Sequence, residues 1–228
     1  MGDPAACVGT AKIARSQAET CLQTWLPKAV VMRSPLRRGR RHAETIASLY
    51  GAIVAQGRAP VLYESYGVPD TVAGRFEMIV LHTVLLVGRL KHGSLLLHRL
   101  GQDVFGSFCS DMDASLREMG VGDLAVPRRM RGIGEAFYGR QTAYETALAA
   151  ADSGQLVFAL ARNVSDVPQP TANAERLAAY VRQAAEDLAA EDDAALGRGE
   201  IAFPSPEGIL ATPAVDEVSR ETNQERQD

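Results

Sequence analysis

Cysteine is sparse in this chain. Cys7, Cys21 and Cys109 form no CxxC pair and have no histidine at a metal-ligand spacing, which excludes a disulfide framework and a zinc site and points to a reducing compartment. Long apolar runs are also missing. The longest uncharged apolar run, Met78 to Gly88, contains His82 and is about half the 18 or so residues a bilayer span requires. An excess of one charge is absent as well. The formal net of −4 provides no overall field for counterion release, so DNA is excluded as a general partner. There is no GxSxG, no P-loop, no HExxH and no GxGxxG following a strand, and no enzyme signature stands out. Neither alternating strand runs nor a repeat of 20 to 50 residues is visible.

What is present is an uneven distribution of charge. Residues 1–43 carry 8 basic and 2 acidic side chains, residues 44–170 carry 11 and 13, and residues 171–228 carry 5 and 13. The pattern describes a basic extension, 1–43, a balanced domain, 44–197, and an acidic, proline-punctuated tail, 198–228. The N-terminal stretch does not have the form of a signal peptide, because Pro27 and Lys28 interrupt Cys21 to Val31. Serine is too scarce there, and the arginines too late, for a transit peptide. The working N-terminus is expected at Met32.

Apolar spacing gives an all-α domain of about six helices around one core. The first runs from Glu44 to Gly57 and the second from Val72 to Lys91, with Asp70 or Thr71 supplying the N-cap oxygen. Ser94 opens the third, which ends near Gly120; Pro127 to Ala151, Gln155 to Val164 and Asn173 to Leu196 make the rest. On a helical wheel the second helix is apolar almost all round, so it is expected to lie buried among the others. Its exception is Arg75, His82 and Arg89, spaced seven apart in a polar line.

That line calls for partners, and the cluster Asp111, Asp113, Arg117, Glu118 and Asp123 offers carboxylates. The residue types leave two readings open: the stripe meets Asp111, Asp113 or Glu118 inside the core, or part of it lines an open groove. A divalent metal held by His82 and the aspartates is a further alternative, with poor ligand spacing; Asp113 and Arg117 suit an i,i+4 ion pair instead. Phe137, Tyr138, Arg140 and Tyr144 combine aromatic surface with a guanidinium, the residue types of protein-binding hot spots. Phe137 and Tyr144 also suit a core, with Tyr138 and Arg140 at its rim. Arg128, Arg129 and Arg131 read as a solvated helix start, with no aromatic stacking platform beside them.

The stretches YGAIVAQGRAPVLYESYGVPDTVAGRFEMIVLHTVLLVGRL, FCSDMDASLREMGVGDLAVPRRM and AFYGRQTAYETAL resemble the ubiquinol–cytochrome c chaperone family, the assembly factors of respiratory complex III. The resemblance runs from about Tyr50 to Phe203. It implies an all-helical, non-enzymatic chaperone without a cofactor, whose client is newly made cytochrome b. A small partner assembly factor, the ribosome and peripheral membrane contact are further implied partners. Carried over residue by residue, the polar positions are Arg75, Glu77, His82, Arg89, Asp111, Asp113, Arg117, Glu118, Asp123, Tyr138 and Arg140; with Phe137 and Tyr144 they form the expected client-binding set. A lipid or small-molecule carrier is the remaining alternative. Arginine outnumbers lysine 21 to 3, which suggests GC-rich bacterial coding and a cytoplasmic place at the inner membrane, or the mitochondrial matrix if eukaryotic.

Overall fold

A computed structural model describes residues 36–210 apart from 151, 153 and 166–168. Its long helices are α1 (Leu36–Gly57), α3 (Val72–Lys91), α4 (Leu95–Glu118), α5 (Val126–Ala149), α6 (Gly154–Val164) and α7 (Ala172–Ala190). Shorter ones are α2 (Pro60–Glu64), α8 (Asp193–Arg198) and α9 (Pro206–Leu210). No strand occurs among the described residues, and the all-α expectation holds.

Helix α3 is the axis around which the rest assemble. It packs on α1, α4, α5, α6 and α7, and every residue from Met78 to Val87 is buried. This is the consequence of a sequence apolar on nearly all sides, since such a helix lowers its free energy only by surrounding itself with others. Thr71 proves to be its N-cap, its hydroxyl accepting from the Gly74 N–H at 3.1 Å. Gly74 is obligatory there, because a Cβ would stand 2.0 Å from the Pro69 carbonyl oxygen. Ser94 and Thr171 cap α4 and α7 in the same way.

Three boundaries differ from the expected ones. Helix α1 begins at Leu36, eight residues before Glu44, so the basic RRGRR run is its first two turns. The predicted helix from Asn173 to Leu196 divides into α7 and α8. Glu191 turns extended and Asp192 recaps the chain by accepting from the Ala195 N–H. The acidic AEDDAA run hides this break, because aspartate suits a cap as well as an exposed helix face.

The third difference concerns the tail. Residues 199–210 are part of the fold: Ile201, Phe203 and Ile209 pack on the core and Pro206 is buried. The chain enters through Gly199, whose positive φ of 82° closes α8 and whose carbonyl accepts from the Ser48 hydroxyl. Prolines suit such a strap, having no N–H that burial would leave unpaired. Residues 1–35 and 211–228 lie outside the described residues.

Candidate functional site

The expected polar line on α3 resolves into three unrelated arrangements, none of which meets the α4 carboxylates. Arg75 is exposed, pairs with Asp70 at 2.7 Å and lies 5.9 Å from the Tyr63 ring centroid. Arg89 donates to the carbonyls of Leu188 and Glu191 at 2.9 and 2.8 Å and to Asp193 at 2.7 Å. It thereby satisfies carbonyls that the end of α7 leaves without helical partners. Backbone acceptors carry no signature in a sequence, which is why side-chain matching led to the wrong partners.

His82 is fully buried. Its Nδ1–H donates to the Met78 carbonyl at 2.7 Å, leaving Nε2 to accept from the Tyr180 hydroxyl at 2.7 Å. Gln56 donates to Tyr180 and to the Pro204 carbonyl, and Phe203 packs edge-on against the imidazole. Burial pushes the His82 pKa down to about 4, partly countered by the bond to Met78. The ring is thus a neutral connector between α3, α7 and the 199–210 strap, with both nitrogens engaged.

The α4 carboxylates are used elsewhere. Asp111 accepts from the Tyr50 hydroxyl at 2.7 Å and, after burial, is the main reason that phenol resists ionisation. Arg117 holds Asp113 at 2.7 Å, as the i,i+4 spacing predicts, and also Asp123. Glu118 is exposed. Among the described residues no group of three His, Cys, Asp or Glu side chains is placed to hold a metal, so the His82–aspartate alternative loses its constellation.

Phe137 packs with Phe105 and Phe108 in the core, and Tyr144 is equally enclosed. Tyr138, expected at the rim, is also buried. Arg140 and Glu77 form a half-buried, two-pronged ion pair at 2.5 Å that ties α5 to α3. Burial raises the Glu77 pKa more than Arg140 lowers it, as expected where desolvation outweighs the Coulomb attraction. The pair fixes where α5 lies.

What α5 then presents was not anticipated. Ala125, just before its first turn, and Gly132, Ala136, Gly139 and Ala143 along it fall within about 60° of one another at 100° per residue. Ala125, Gly132 and Gly139 are exposed and the other two half-buried. One end of this small-residue face opens into a recess of about 750 Å³ walled by Phe76, Leu116, Ile133, Arg128 and Arg129. Its other end reaches a recess of about 410 Å³ beside Phe158, Ala147 and Arg162. From Ala125 to Ala147 this face, with a recess at each end, runs about 33 Å at 1.5 Å per residue; we refer to it as the α5 furrow.

The two glycines on this face are the telling residues. A Cβ added at Gly132 or Gly139 meets nothing within 4 Å, so no packing among the described residues requires glycine there. Each nevertheless costs the helix about 1 kcal/mol relative to alanine. The sequence signal was available as small residues at spacings of four, three and four, but FYGR drew attention to its aromatics and guanidinium. A third recess, about 330 Å³ and mainly apolar, lies beside Arg89 between α3, α5 and α7. No helix among the described residues is long and apolar enough to cross a membrane.

Comparison with known proteins agrees with the architecture. The family model described as ubiquinol–cytochrome C chaperone matches residues 64–203. The crystal structure of the Cbp3 homolog from Brucella abortus superposes with a TM-score of 0.70 at 38% identity, covering 75% of this chain and 94% of that one. A search of curated proteins returned no match. With more than half its length inside the family model and a close structural relative spanning its helical domain, the chain belongs to the ubiquinol–cytochrome c chaperone family.

Proposed function

We propose that this protein is an assembly chaperone of the ubiquinol–cytochrome c reductase complex that holds an apolar helix of newly made cytochrome b, without catalysis, until the complex takes it over. The observation that carries this reading is the small-residue face of α5, uncovered among the described residues, with a mainly apolar recess at its Phe76 end and a mixed one at its Phe158 end, where Asp152, Gln155 and Arg162 join Ala147 and Phe158. Small residues let two helix backbones approach closely, and a furrow of about 33 Å suits a helix of membrane-spanning length. An apolar helix caught before insertion would gain a partner surface in place of water. Family membership supplies the class of client. Of the polar positions expected to bind it, Glu77 and Arg140 act by setting α5 against α3, and His82 and Arg89 by fixing the neighbouring elements. Work at the inner membrane, and cooperation with the ribosome and a small partner factor, belong to the same proposal.

The test fills the furrow without disturbing the fold. Gly139→Leu adds a side chain into open space, so the variant should melt at or slightly above the wild-type temperature. It should lose capture of cytochrome b translated in vitro and fail to restore complex III in a deletion strain. Gly51→Leu, at an exposed α1 glycine with equally open surroundings, is the matched control and should capture normally. Undiminished capture by the Gly139→Leu protein, or no capture by wild type, would overturn the proposal.

A further inference from the structure

The larger recess differs from an ordinary greasy groove in its charge. Its apolar walls come from Phe76, Leu116, Ile133 and the small residues of α5, and among the described residues the charged side chains lining it are Arg128 and Arg129. Both are exposed. The nearby carboxylates Asp113 and Asp123 are held by Arg117, and the first turn of α5 has no acidic residue. Two cations in the first turn oppose the helix's own electrostatics, because the N-terminal end of a helix favours negative charge. An arrangement that disfavours the helix and compensates no charge among the described residues marks a surface shaped for a partner of opposite charge.

We infer that the α5 furrow is polarised, and that its occupant is an apolar helix whose C-terminal flank carries acidic residues, seated antiparallel to α5 with that flank at Arg128 and Arg129. The inference rests on the client reading above and deepens it by specifying the flank and direction of the bound segment. The apolar walls and small-residue floor accept the body of the helix. The arginines accept carboxylates at its end, together with the partially negative carbonyls that every helix C-terminus exposes. Antiparallel seating sets the end dipoles of the two helices in attraction. A flank of lysines or arginines at this end would place like charges together, so the recess selects by rejection as well as attraction. A lipid headgroup offers the same negative charge. The small-residue face leading from this recess along α5 to the second recess beside Phe158 favours a peptide helix, which can lie along that whole length.

Fluorescence anisotropy with the full chain tests this, using labelled Leu/Ala helical peptides of about 20 residues. One is followed by three glutamates, one preceded by three glutamates and one followed by three lysines. The C-terminal glutamate peptide should bind about tenfold more tightly than the C-terminal lysine peptide at low salt, with the N-terminal glutamate peptide between them. High salt should narrow the gap. The exposed double variant Arg128→Glu/Arg129→Glu should reverse the order while its circular dichroism stays unchanged and its melting temperature is equal to or slightly above that of wild type. Equal binding of all three peptides, or an order unaffected by charge reversal, would overturn the inference and leave the client reading intact. Failure of every peptide to bind would remove the client reading itself. Binding of anionic vesicles in place of peptides, lost in the double variant, would reassign the arginines to lipid and overturn the inference too.

Discussion

His82 makes the interior of this protein sensitive to acid in a way that can be calculated. In the folded state its Nδ1 must carry the proton, because the Met78 carbonyl can only accept, and Nε2 is a bare acceptor for Tyr180. Adding a second proton would turn Nε2 into a donor facing a hydroxyl that already accepts from Gln56. Removal from water holds the folded pKa at about 4 against the ordinary imidazole value of 6.5. The unfolded chain therefore takes up a proton first as the pH falls. The contribution of neutral His82 is fully present above pH 6.5 and is lost progressively down to about pH 4. At 1.36 kcal/mol per unit, the loss is about 2 kcal/mol by pH 5 and about 3 kcal/mol by pH 4.

Replacing His82 by glutamine, which has an amide donor and a carbonyl acceptor but no titration, isolates this term. At pH 7 the variant should be less stable by about 1–2 kcal/mol, since its shorter amide cannot reach both partners equally well. Urea unfolding at several pH values between 7 and 4 should show the two stability curves crossing between about pH 6 and pH 5, with the glutamine variant the more stable by about 1–2 kcal/mol at pH 4, because all other titrating groups are common to both proteins. Parallel curves across that range would refute the assignment of His82 as a buried neutral connector.

Two further outcomes follow from the ion pairs. Arg89→Met should cost about 2 kcal/mol in urea unfolding by leaving the end of α7 uncapped and freeing Asp193; hydrogen exchange should quicken first between Leu188 and Arg198, and a uniform change would contradict that role. Arg140→Met should cost about 3 kcal/mol by leaving Glu77 half-buried without its counter-charge, and Glu77→Gln in the same chain should recover much of that loss; additive costs in the double-mutant cycle would show that the two side chains do not act as a pair.

How much was legible in the sequence depends on whether side chains or backbone did the bonding. The boundaries of α3 were readable to the residue because Thr71 caps it and an all-round apolar run fills it. The aromatic packing of Phe137 and Tyr144 was one of two readings the spacing allowed. Of the two readings left open for the α3 stripe, pairing with the α4 carboxylates fails: Arg89 and His82 bond to carbonyls of Leu188, Glu191 and Met78, groups every residue possesses, and to Asp193 and Tyr180 far along the chain, while Arg89 does line a recess between α3, α5 and α7. The 199–210 strap was missed because its prolines and acids have the composition of an unfolded tail, whereas Ile201, Phe203 and Pro206 meet a surface that exists only after the helices assemble. The small-residue face of α5 was missed for the opposite reason. Its pattern is visible in the letters, but glycine in a helix ordinarily reads as a weak point and not as a surface.

A chaperone for an apolar segment faces a physical conflict, since a face able to hold such a segment is also one its own bundle would gain by covering. In α5 the conflict is resolved by size and by anchoring. Alanine and glycine expose little apolar area, so leaving them uncovered costs little hydrophobic free energy and creates no large sticky patch. The same residues still allow close backbone approach once a partner helix arrives. The stability surrendered along that face is offset on the other side of the helix, where Phe137, Tyr138 and Tyr144 are buried and Arg140 grips Glu77. A furrow of leucines would bind more strongly but would invite self-association; one built on an unanchored helix would collapse into its neighbours. Holding a rigid helix by one side while keeping the other side small reconciles a stable fold with an open surface.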